Sequence, residues 1–343
     1  MLNSENKPTK VTILDIAQKA DVSPSTVSRV LRNSAGVAKK KHDAVMQAVA
    51  ELNYRPNIFA QSLASGQSMT IGVLTQNFGT PFYDGILQGI LSGMEKTDYW
   101  PIFADGRWHP ATEQKALEQL LARRVDGLIL VGGQIDEEAL QKIADHKPLI
   151  VVARKLKTMP NHCLYMDNFQ AAYRTMQYLL EMGHRDIAHI TASVVYHDSV
   201  NDIHKRLEGY EQALRDAGIE PDPRLVVEGN LQQSSGVLAV EMLLSQGRPF
   251  SAIFAANDQM AFGVRLALYR RGIRVPEDVS LVGFDDESSA AYMVPPLTTI
   301  RQPAIELGET AARAILHLLK EEPFVIPEFS TELIIRESVA RFR

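Results

Sequence analysis

The sequence predicts an N-terminal all-α helix-turn-helix head followed by an α/β body of two doubly wound parallel-sheet subdomains. Three observations support this fold class. Short helical patterns joined by tight turns occupy residues 11–67, and apolar strands alternate with amphipathic helices from residue 68 onward. The chain of 343 residues is also too long for one ordinary hydrophobic core, so two or three domains are expected.

The composition is typical of a soluble globular protein, with 45% hydrophobic and 22% charged residues. No apolar run approaches the ~18–20 residues of a membrane helix, and the polar first ten residues contain no signal-peptide core. We therefore expect a cytoplasmic protein with a disordered lead-in at 1–10 and no membrane segment. Cys163 is the single cysteine and has no partner at metal-ligand spacing, so we predict neither a metal nor a cofactor.

The net charge of −5 conceals an uneven distribution. Residues 1–67 carry nine lysines and arginines against five acidic residues, a net charge of +4, which leaves −9 for the rest of the chain. A basic head on an acidic body is expected when one end of a protein meets phosphate and the other does not.

The first helical pattern runs from Leu14 to Ala20, and Thr12 can cap it. A three-residue turn follows, and Ser23 can cap a second helix that starts at Pro24 and ends near residue 32. Two short helices joined in this way form a helix-turn-helix, whose second helix lies in the major groove of DNA. The polar side chains that face outward from this helix are those of Ser25, Thr26, Ser28 and Arg29.

A third helix is predicted over about 39–52, and its first turn begins with three consecutive lysines from Lys39. Cations at a helix N-terminus oppose the macrodipole, so this placement favours phosphate contact by at least one lysine over a merely solvated charge run. Asn57 can cap a short helix over 58–64 that is marginal alone in water. Leu63 is then a candidate wedge for the minor groove, and a plain interdomain linker is the alternative.

The strings VTILDIAQKADVSPSTVSRVL and AVMQAVAELNYRPNIFAQSLASGQSMTIGV closely resemble the head and hinge of the lactose-repressor/galactose-repressor (LacI/GalR) family of transcription regulators. The resemblance implies that Pro24, Ser25 and Arg29 read the operator and that a hinge helix inserts Leu63 into the minor groove. The predicted DNA-contacting residues are Thr12, Ser23, Pro24, Ser25, Thr26, Ser28, Arg29, Lys39, Tyr54, Asn57, Ala60, Gln61 and Leu63.

The head departs from the family pattern at two positions. Asp21 stands where a turn glycine is usual, so the turn is expected to be slightly strained. Ala38 stands where Ser or Thr usually caps the third helix, which weakens that helix start by ~1 kcal/mol.

The body reads as strands that alternate with helices, the pattern of parallel sheets covered on both faces. Predicted strands occupy 70–75, 100–105, 125–131, 148–153, 163–167, 186–191, 225–228, 252–256 and 279–285. Predicted helices occupy 82–96, 111–123, 136–146, 169–182, 202–217, 233–246 and 258–271. So many strands imply two doubly wound subdomains.

Residues that follow these strands nominate a ligand site, because such folds bind ligands at the carboxyl ends of strands and often between two domains. The nominated residues are 77–82, 105–108, Arg154, Asn257, Asp258, Asp285 and Asp286. Amides, carboxylates and arginine bind hydroxyl groups, and aromatic rings cover the apolar face of a sugar, so the set suits a polyhydroxylated ligand. Capping or packing is the alternative for each residue alone, and Asp258 in particular is expected as an N-cap.

The family resemblance extends to about residue 336 through KRLEGY (205–210), AANDQMAFG (255–263), VPEDVSLVGFDD (275–286) and PPLTTIRQP (295–303). It implies a periplasmic-binding-protein-like body in which Arg206, Asn257 and Asp285 contact the effector, with Asp105 and the region of Phe78 and Phe82 on the other wall. The predicted effector-binding residues are Phe78, Phe82, Asp105, Trp108, Arg154, Arg206, Asn257 and Asp285.

The segments ADGRW, EQKALEQLL and ARKLK resemble the galactose and aryl-β-glucoside repressors of that family. Ala153 stands where many members carry Asp or Asn, and residues 229–231 lack a usual aromatic ring, which Trp108 could replace. No leucine heptad ends the chain, so we expect a homodimer that reads a palindromic operator. The predicted domains are the lead-in (1–10), the head (11–56), the hinge helix and linker (57–67), an N-terminal effector subdomain (68–168 plus about 298–327) and a C-terminal one (169–297 plus about 328–343).

The sequence therefore predicts a repressor of a carbohydrate-utilisation operon that a small sugar, such as a galactoside or β-glucoside, releases from operator DNA. An enzyme is disfavoured because the P-loop, HExxH, GxSxG and CxxC motifs are absent. The histidines at 184, 189, 197 and 204 are scattered and are expected to be structural. Two alternatives remain open: the same fold with a co-repressor such as a purine base, and a sugar-binding protein without a regulatory role.

Overall fold

A computed structural model of the protein describes residues 11–31, 36–54, 66–192 and 202–342. The chain divides into two units, Met1–Ser68 and Met69–Arg343. None of the described helices is long and apolar enough to cross a bilayer. Nor do the described His, Cys, Asp and Glu side chains gather into a group that could hold a metal ion.

Three helices form the described part of the first unit: α1 (Ile13–Lys19), α2 (Pro24–Leu31) and α3 (Lys39–Glu51). They pack around a small core of Ile16, Ala17, Val27, Val30, Val45 and Ala48. Each helix supplies two of these side chains at helical spacing, so each has one buried face. At the start of α1, the backbone N–H and the hydroxyl of Thr12 both donate to Asp15 Oδ2 at 2.7 Å.

A five-stranded parallel sheet forms the first lobe of the second unit. Strands β1 (Thr70–Thr75), β2 (Trp100–Asp105), β3 (Gly127–Val131), β4 (Leu149–Val152) and β5 (Cys163–Leu164) lie in the order β2-β1-β3-β4-β5. Helices α4 (Pro81–Met94), α5 (Pro110–Ala122) and α6 (Glu137–Ala144) join the first four strands. Because both faces of the sheet are covered, β3 and β4 are fully buried, as their continuous apolar runs predict.

A four-stranded parallel sheet forms the second lobe. Helices α7 (Asn168–Glu181), α8 (Asp202–Asp216), α9 (Gln233–Ser245) and α10 (Asp258–Arg270) alternate with strands β6 (Ile187–Ala192), β7 (Val226–Gly229), β8 (Ala252–Ala255) and β9 (Ser280–Val282). The strand order is β7-β6-β8-β9. Glycines allow α9 and α10 to approach closely, since a Cβ at Gly236 would lie 2.1 Å from the carbonyl oxygen of Met260.

The chain crosses between the lobes at three described places, 165–168, 302–304 and 330–331. After the second crossing, helix α11 (Ala304–Leu319) packs on α4 of the first lobe, where a Cβ at Gly308 would lie 2.0 Å from the carbonyl oxygen of Ile86. Residues 298–303 therefore precede this return to the first lobe.

A separate two-stranded sheet lies near these crossings and is linked to the second-lobe strands by isolated bridges. Strand β10 (Thr299–Arg301) pairs antiparallel with β11 (Glu332–Ile334), and Arg301 also bridges Asp285. Ile300 packs in the same core as Val282 and Phe284. The subdomain boundary predicted near 298 thus falls at 302–304, because strand pairing and burial hold 298–301 in the second lobe. The boundary predicted near 328 falls after Phe329, which bridges Met166 of the first lobe.

Candidate functional site

A cavity of about 330 Å³ opens in the second unit at the carboxyl ends of the strands of both sheets. The first lobe contributes residues that follow β1, β2, β3 and β4, and the second lobe contributes residues that follow β6, β7, β8 and β9. This is where the topology of parallel sheets places a ligand, and the size suits a small organic molecule.

Six of the eight predicted effector-binding residues line this cavity: Phe82, Trp108, Arg154, Arg206, Asn257 and Asp285. Phe78 and Asp105 are not among the lining residues. The Phe78 side chain is 49% exposed. The Asp105 carboxylate accepts a hydrogen bond from the backbone N–H of Arg107 at 2.9 Å and so stabilises the turn that carries Trp108.

Arg206 is the centre of the polar part of the cavity. It lies on α8 and is only 4% exposed. Its Nε donates to Asn168 Oδ1 at 2.8 Å, and its Nη1 donates to the carbonyl oxygen of Ala256. Its guanidinium carbon lies 3.6 Å from the centre of the Phe284 ring. These contacts hold the guanidinium in one orientation.

Two carboxylates, Asp202 and Asp285, face the same arginine. Burial raises the pKa of each carboxyl from 3.8 to about 6, and the positive charge of Arg206 opposes that rise. Burial also lowers the pKa of Arg206, and both carboxylates oppose that change. The three charges therefore stabilise one another where each alone would be costly.

Asp202 was not predicted as a site residue, although the sequence held a signal for it. It lies four residues before Arg206 on the same predicted helix, and residues at this spacing share a helix face. The functional assignment of Arg206 would therefore have implicated Asp202 as well.

Asn257, and not Asp258 as predicted, is the N-cap of α10. Its Oδ1 accepts from the backbone N–H of Met260 at 2.9 Å, and its Nδ2 donates to the carbonyl oxygen of Leu231 at 3.0 Å. Asp258 is fully buried within the first turn of α10, where it accepts from Thr299 Oγ1 at 2.6 Å. Burial raises the pKa of Asp258 well above its usual range.

The first lobe supplies an aromatic corner, formed by Phe82, Tyr83 and Trp108. The Phe82 and Tyr83 rings meet edge to face at 5.4 Å between centroids, and the Tyr83 and Trp108 rings do so at 5.8 Å. Trp108, with a backbone φ of +53°, lines the cavity. Gly132, with a φ of +69°, fits because a Cβ there would lie 3.1 Å from Tyr83 Oη. Tyr83 was not predicted, since a helical aromatic next to Phe82 gives no separate signal.

A buried carboxylate supports the loop that follows β3. Glu113 is 1% exposed, and its two oxygens accept from the backbone N–H of Gln134 at 3.1 and 3.0 Å. It also accepts from Gln76 Nε2 at 2.9 Å. Burial raises the pKa of Glu113, and the charge of Arg154 opposes that rise. Arg154 donates to the carbonyl oxygen of Ile135 at 2.7 Å, so this loop and the arginine are held together.

The first unit presents the predicted DNA-contacting side chains of α2 on its surface. Ser23 Oγ lies 2.9 Å from Ser25 Oγ and 2.9 Å from Thr26 Oγ1, and the backbone N–H of Thr26 donates to Ser23 Oγ at 3.3 Å. Ser23 thus begins the helix as predicted. The exposed members of the set are Thr12, Ser23, Pro24, Ser25, Arg29 and Lys39.

The remaining predicted DNA-contacting residues fall into two groups. Thr26, Ser28 and Tyr54 are half-buried, and Tyr54 packs against the core of the head. The hinge positions Asn57, Ala60, Gln61 and Leu63 lie outside the described residues.

Comparison with known proteins relates both units to characterised proteins. Residues 12–57 match the model of bacterial regulatory proteins, lacI family, and residues 176–339 match that of a periplasmic binding protein-like domain. The HTH-type transcriptional regulator AscG of Escherichia coli (strain K12) is 34% identical over 333 residues, which are 96% of this chain and 98% of AscG. The chain belongs to the LacI family.

Two solved structures of regulators extend the comparison to three dimensions. The Lac repressor dimer bound to operator and the anti-inducer ONPF is 30% identical and has a TM-score of 0.87 over 97% of this chain and 100% of that chain. The complex of the transcriptional regulator CelR with cellobiose is 32% identical and has a TM-score of 0.71 over 96% of this chain and 99% of that chain. This LacI-family chain is a DNA-binding transcription regulator and not an enzyme.

Departures from the LacI-family pattern have visible structural consequences. Asp21 adopts a φ of +49°, the left-handed conformation that favours glycine, so the expected strain is present in the turn between α1 and α2. Ala38 precedes α3 without a side-chain cap. The segment 229–231 has no aromatic residue, and Leu231 (φ +65°) lines the cavity there. Trp108 lines the cavity from the other lobe.

Proposed function

We propose that this LacI-family regulator is a repressor of a carbohydrate-utilisation operon and that a small neutral sugar, such as a galactoside or β-glucoside, releases it from operator DNA. The observation that carries the proposal is the combination of charges and rings in one cavity. The second lobe supplies Arg206 and the two carboxylates of Asp202 and Asp285. The first lobe supplies the aromatic corner. Charged groups donate to and accept from vicinal hydroxyls, while rings cover the C–H face of a pyranose.

Charge balance favours an uncharged sugar over a sugar phosphate. Among the described lining residues, Arg154 and Arg206 are matched by Asp202 and Asp285. Each arginine also already donates to a backbone carbonyl oxygen. A phosphate would have to compete with two carboxylates for Arg206, and its desolvation would not be compensated.

The DNA partner follows from the family and from the exposed polar face of α2. A homodimer presents two such helices, which fit half-sites ~34–36 Å apart on a palindromic operator. In this proposal Ser25 and Arg29, which are exposed, read base edges, and the exposed Lys39 meets phosphate.

Release from DNA requires that the sugar bind one arrangement of the lobes more tightly than another. A sugar that touches both the aromatic corner and Arg206 has this property, because its contacts come from opposite lobes. Both sets of groups line the same cavity in this structure. Burial is the main cause of the raised pKa of Tyr83, and the charges of Asp202 and Asp285 add to the rise.

The test is a thermal-shift screen of D-glucose, D-galactose, methyl β-D-glucoside, salicin and cellobiose, with hypoxanthine and guanine as a second arm. Ligands that bind the folded state raise its melting temperature by mass action. Fluorescence anisotropy with a labelled operator, selected from random duplexes, then measures DNA affinity with and without each hit.

The expected result is a sugar that raises the melting temperature and weakens operator binding. A purine base that raises the melting temperature and tightens operator binding would overturn the sugar assignment. Failure to bind any duplex at low ionic strength, with or without these compounds, would overturn the repressor assignment.

A further inference from the structure

Two buried amide side chains lie in the segments that connect the lobes of the second unit. Asn168 is the last residue of the crossing at 165–168 and the first residue of α7, and it is 2% exposed. Gln302 lies between β10 and α11, in the crossing at 302–304, and it is 5% exposed. Neither side chain is among those that line the cavity.

Asn168 contacts the guanidinium that faces the cavity. Its Oδ1 accepts from Arg206 Nε at 2.8 Å. Its buried Nδ2 has no hydrogen-bond partner among the described residues. The crossing at 165–168 is therefore joined to Arg206 of α8. The backbone N–H of Asn168 donates to the carbonyl oxygen of Met166, a residue of the first-lobe core.

Gln302 makes the equivalent contact to the third charge. Its Nε2 donates to Asp285 Oδ1, and its carbonyl oxygen accepts from the backbone N–H of Ala304, the first residue of α11, at 2.9 Å. The buried Gln302 Oε1 has no hydrogen-bond donor among the described residues. Its amide orientation is nevertheless determined, because the reverse orientation would place an oxygen against the Asp285 carboxylate.

We propose that Asn168 and Gln302 are positioning residues that couple the ligand-facing groups Arg206 and Asp285 to the crossings between the lobes. Rotation of one lobe against the other changes backbone torsions at the crossings, as in other hinged proteins. Because each crossing carries an amide bonded to a ligand-facing charge, such rotation displaces these charges or breaks the hydrogen bonds. A ligand that holds the charges in place therefore biases the hinge. The coupling rests on the function proposed above.

The test compares full-length Gln302→Met and Asn168→Leu with wild type and with Thr175→Val. Methionine and leucine keep approximate side-chain volume but cannot form the hydrogen bond. Thr175 is a matched control, because it is a fully buried polar residue of α7 whose Oγ1 donates to the carbonyl oxygen of Ala171, away from the charges. Operator affinity is measured by anisotropy without sugar and with a saturating mixture of D-glucose, D-galactose, methyl β-D-glucoside and cellobiose.

Gln302→Met and Asn168→Leu are each expected to reduce the sugar-induced change in operator affinity by about tenfold, since a hydrogen bond to a charged group is lost. Their sugar-free operator affinity should match that of wild type, and Thr175→Val should match wild type in both measurements. If wild type responds to the sugars and both variants respond equally, the coupling proposal is wrong. If wild type does not respond to any sugar, the sugar assignment fails and a second measurement decides the coupling.

The second measurement is hydrogen exchange of the backbone at 165–170 and 302–306 without any ligand. Gln302→Glu can share one proton with Asp285 at pH 6, which restores the contact, but two carboxylates repel each other at pH 8. We therefore expect wild-type protection of both crossings in Gln302→Glu at pH 6 and faster exchange at pH 8. In Gln302→Met, backbone exchange at the 302–306 crossing should be faster than in wild type at both pH values. In Thr175→Val it should match wild type at both. Exchange at the crossings that is the same in all variants would overturn the proposal whatever the effector is.

Discussion

Replacing Asp285 by asparagine is expected to make the protein more stable and less responsive to sugar. Asparagine has nearly the same shape as aspartate, and its Oδ1 can still accept the hydrogen bond from Gln302 Nε2. The substitution removes only the negative charge that faces Arg206. Its effects on folding and on binding therefore isolate the role of that charge.

The expected gain in stability follows from the pKa of Asp285, which burial raises from 3.8 to about 6. Folding thus disfavours the ionised form, and one pKa unit corresponds to about 1.4 kcal/mol. Because the side chain is only partly buried and faces Arg206, we expect Asp285→Asn to stabilise the sugar-free protein by about 1–3 kcal/mol at pH 7.5. The gain should shrink as the pH falls through 6 and vanish below about pH 4, where the wild-type carboxyl is protonated in both the folded and unfolded states.

Sugar binding is expected to change in the opposite direction. A hydrogen bond to a charged group contributes about 1.5–3 kcal/mol, so the loss of one should weaken sugar affinity by about 10- to 100-fold. The head is unaltered, so operator affinity without sugar should stay the same and the repressor should become non-inducible. Calorimetric titration measures the sugar, operator anisotropy measures release, and thermal unfolding at fixed protein concentration measures stability.

Asp286 provides a matched control one residue away. Its carboxylate accepts from Arg301 Nε at 2.8 Å and from Arg336 Nη2 at 2.6 Å, and its side chain is 8% exposed. Asp286→Asn should therefore lower stability by about 1–3 kcal/mol, because it leaves two arginines with a weaker partner, and should preserve sugar affinity. An Asp285→Asn protein that is less stable than wild type and binds sugar equally well would refute the assignment of Asp285 to the ligand-facing wall.

Three further predictions concern pH, DNA and the head. Sugar affinity should fall as the pH decreases below about 6, because protonation of Asp202 and Asp285 removes hydroxyl acceptors; equal affinity by calorimetry at pH 5 and pH 7.5 would contradict this. Lys39→Ala should weaken binding to all duplexes and reduce the slope of log affinity against log salt by about 1, as anisotropy titrations over a salt series would reveal. Asp21→Gly, at a φ of +49°, should stabilise the head by about 0.5–1 kcal/mol, and Ala38→Ser by a similar amount through a new cap; slower hydrogen exchange in α1–α3 is the readout, and an unchanged rate would contradict both.

Much of the fold could be predicted because its signals are local. The apolar spacing of Ile16, Val27 and Val45 determines which helix faces are buried in the head, and the continuous apolar runs at β3 and β4 identify strands covered on both faces. The strand-end rule places Arg154 at the carboxyl edge of the first-lobe sheet and Asp285 at that of the second-lobe sheet, and both line the cavity.

Other features depend on contacts between residues that are distant in sequence. No local pattern distinguishes Asn257 from Asp258 as the helix cap; Asp258 is drawn into the core by Thr299, which lies 41 residues later. In the same way, Asp105 and Phe78 follow strands but do not line the cavity: Asp105 accepts from the backbone N–H of Arg107, and Phe78 is exposed.

The sequence by itself determined the two kinds of unit, the helices of the head, the parallel sheets and the edge at which a ligand binds, because hydrophobic periodicity and strand polarity are properties of contiguous residues. Only the tertiary structure decided that Asp202 and Asp285 lie near one buried arginine and that Asn168 and Gln302, beside the crossings, hydrogen-bond to Arg206 and Asp285. Such pairings require side chains from separate segments to meet in a place that excludes water, and the energy of a buried charge depends on those neighbours rather than on its own position in the chain.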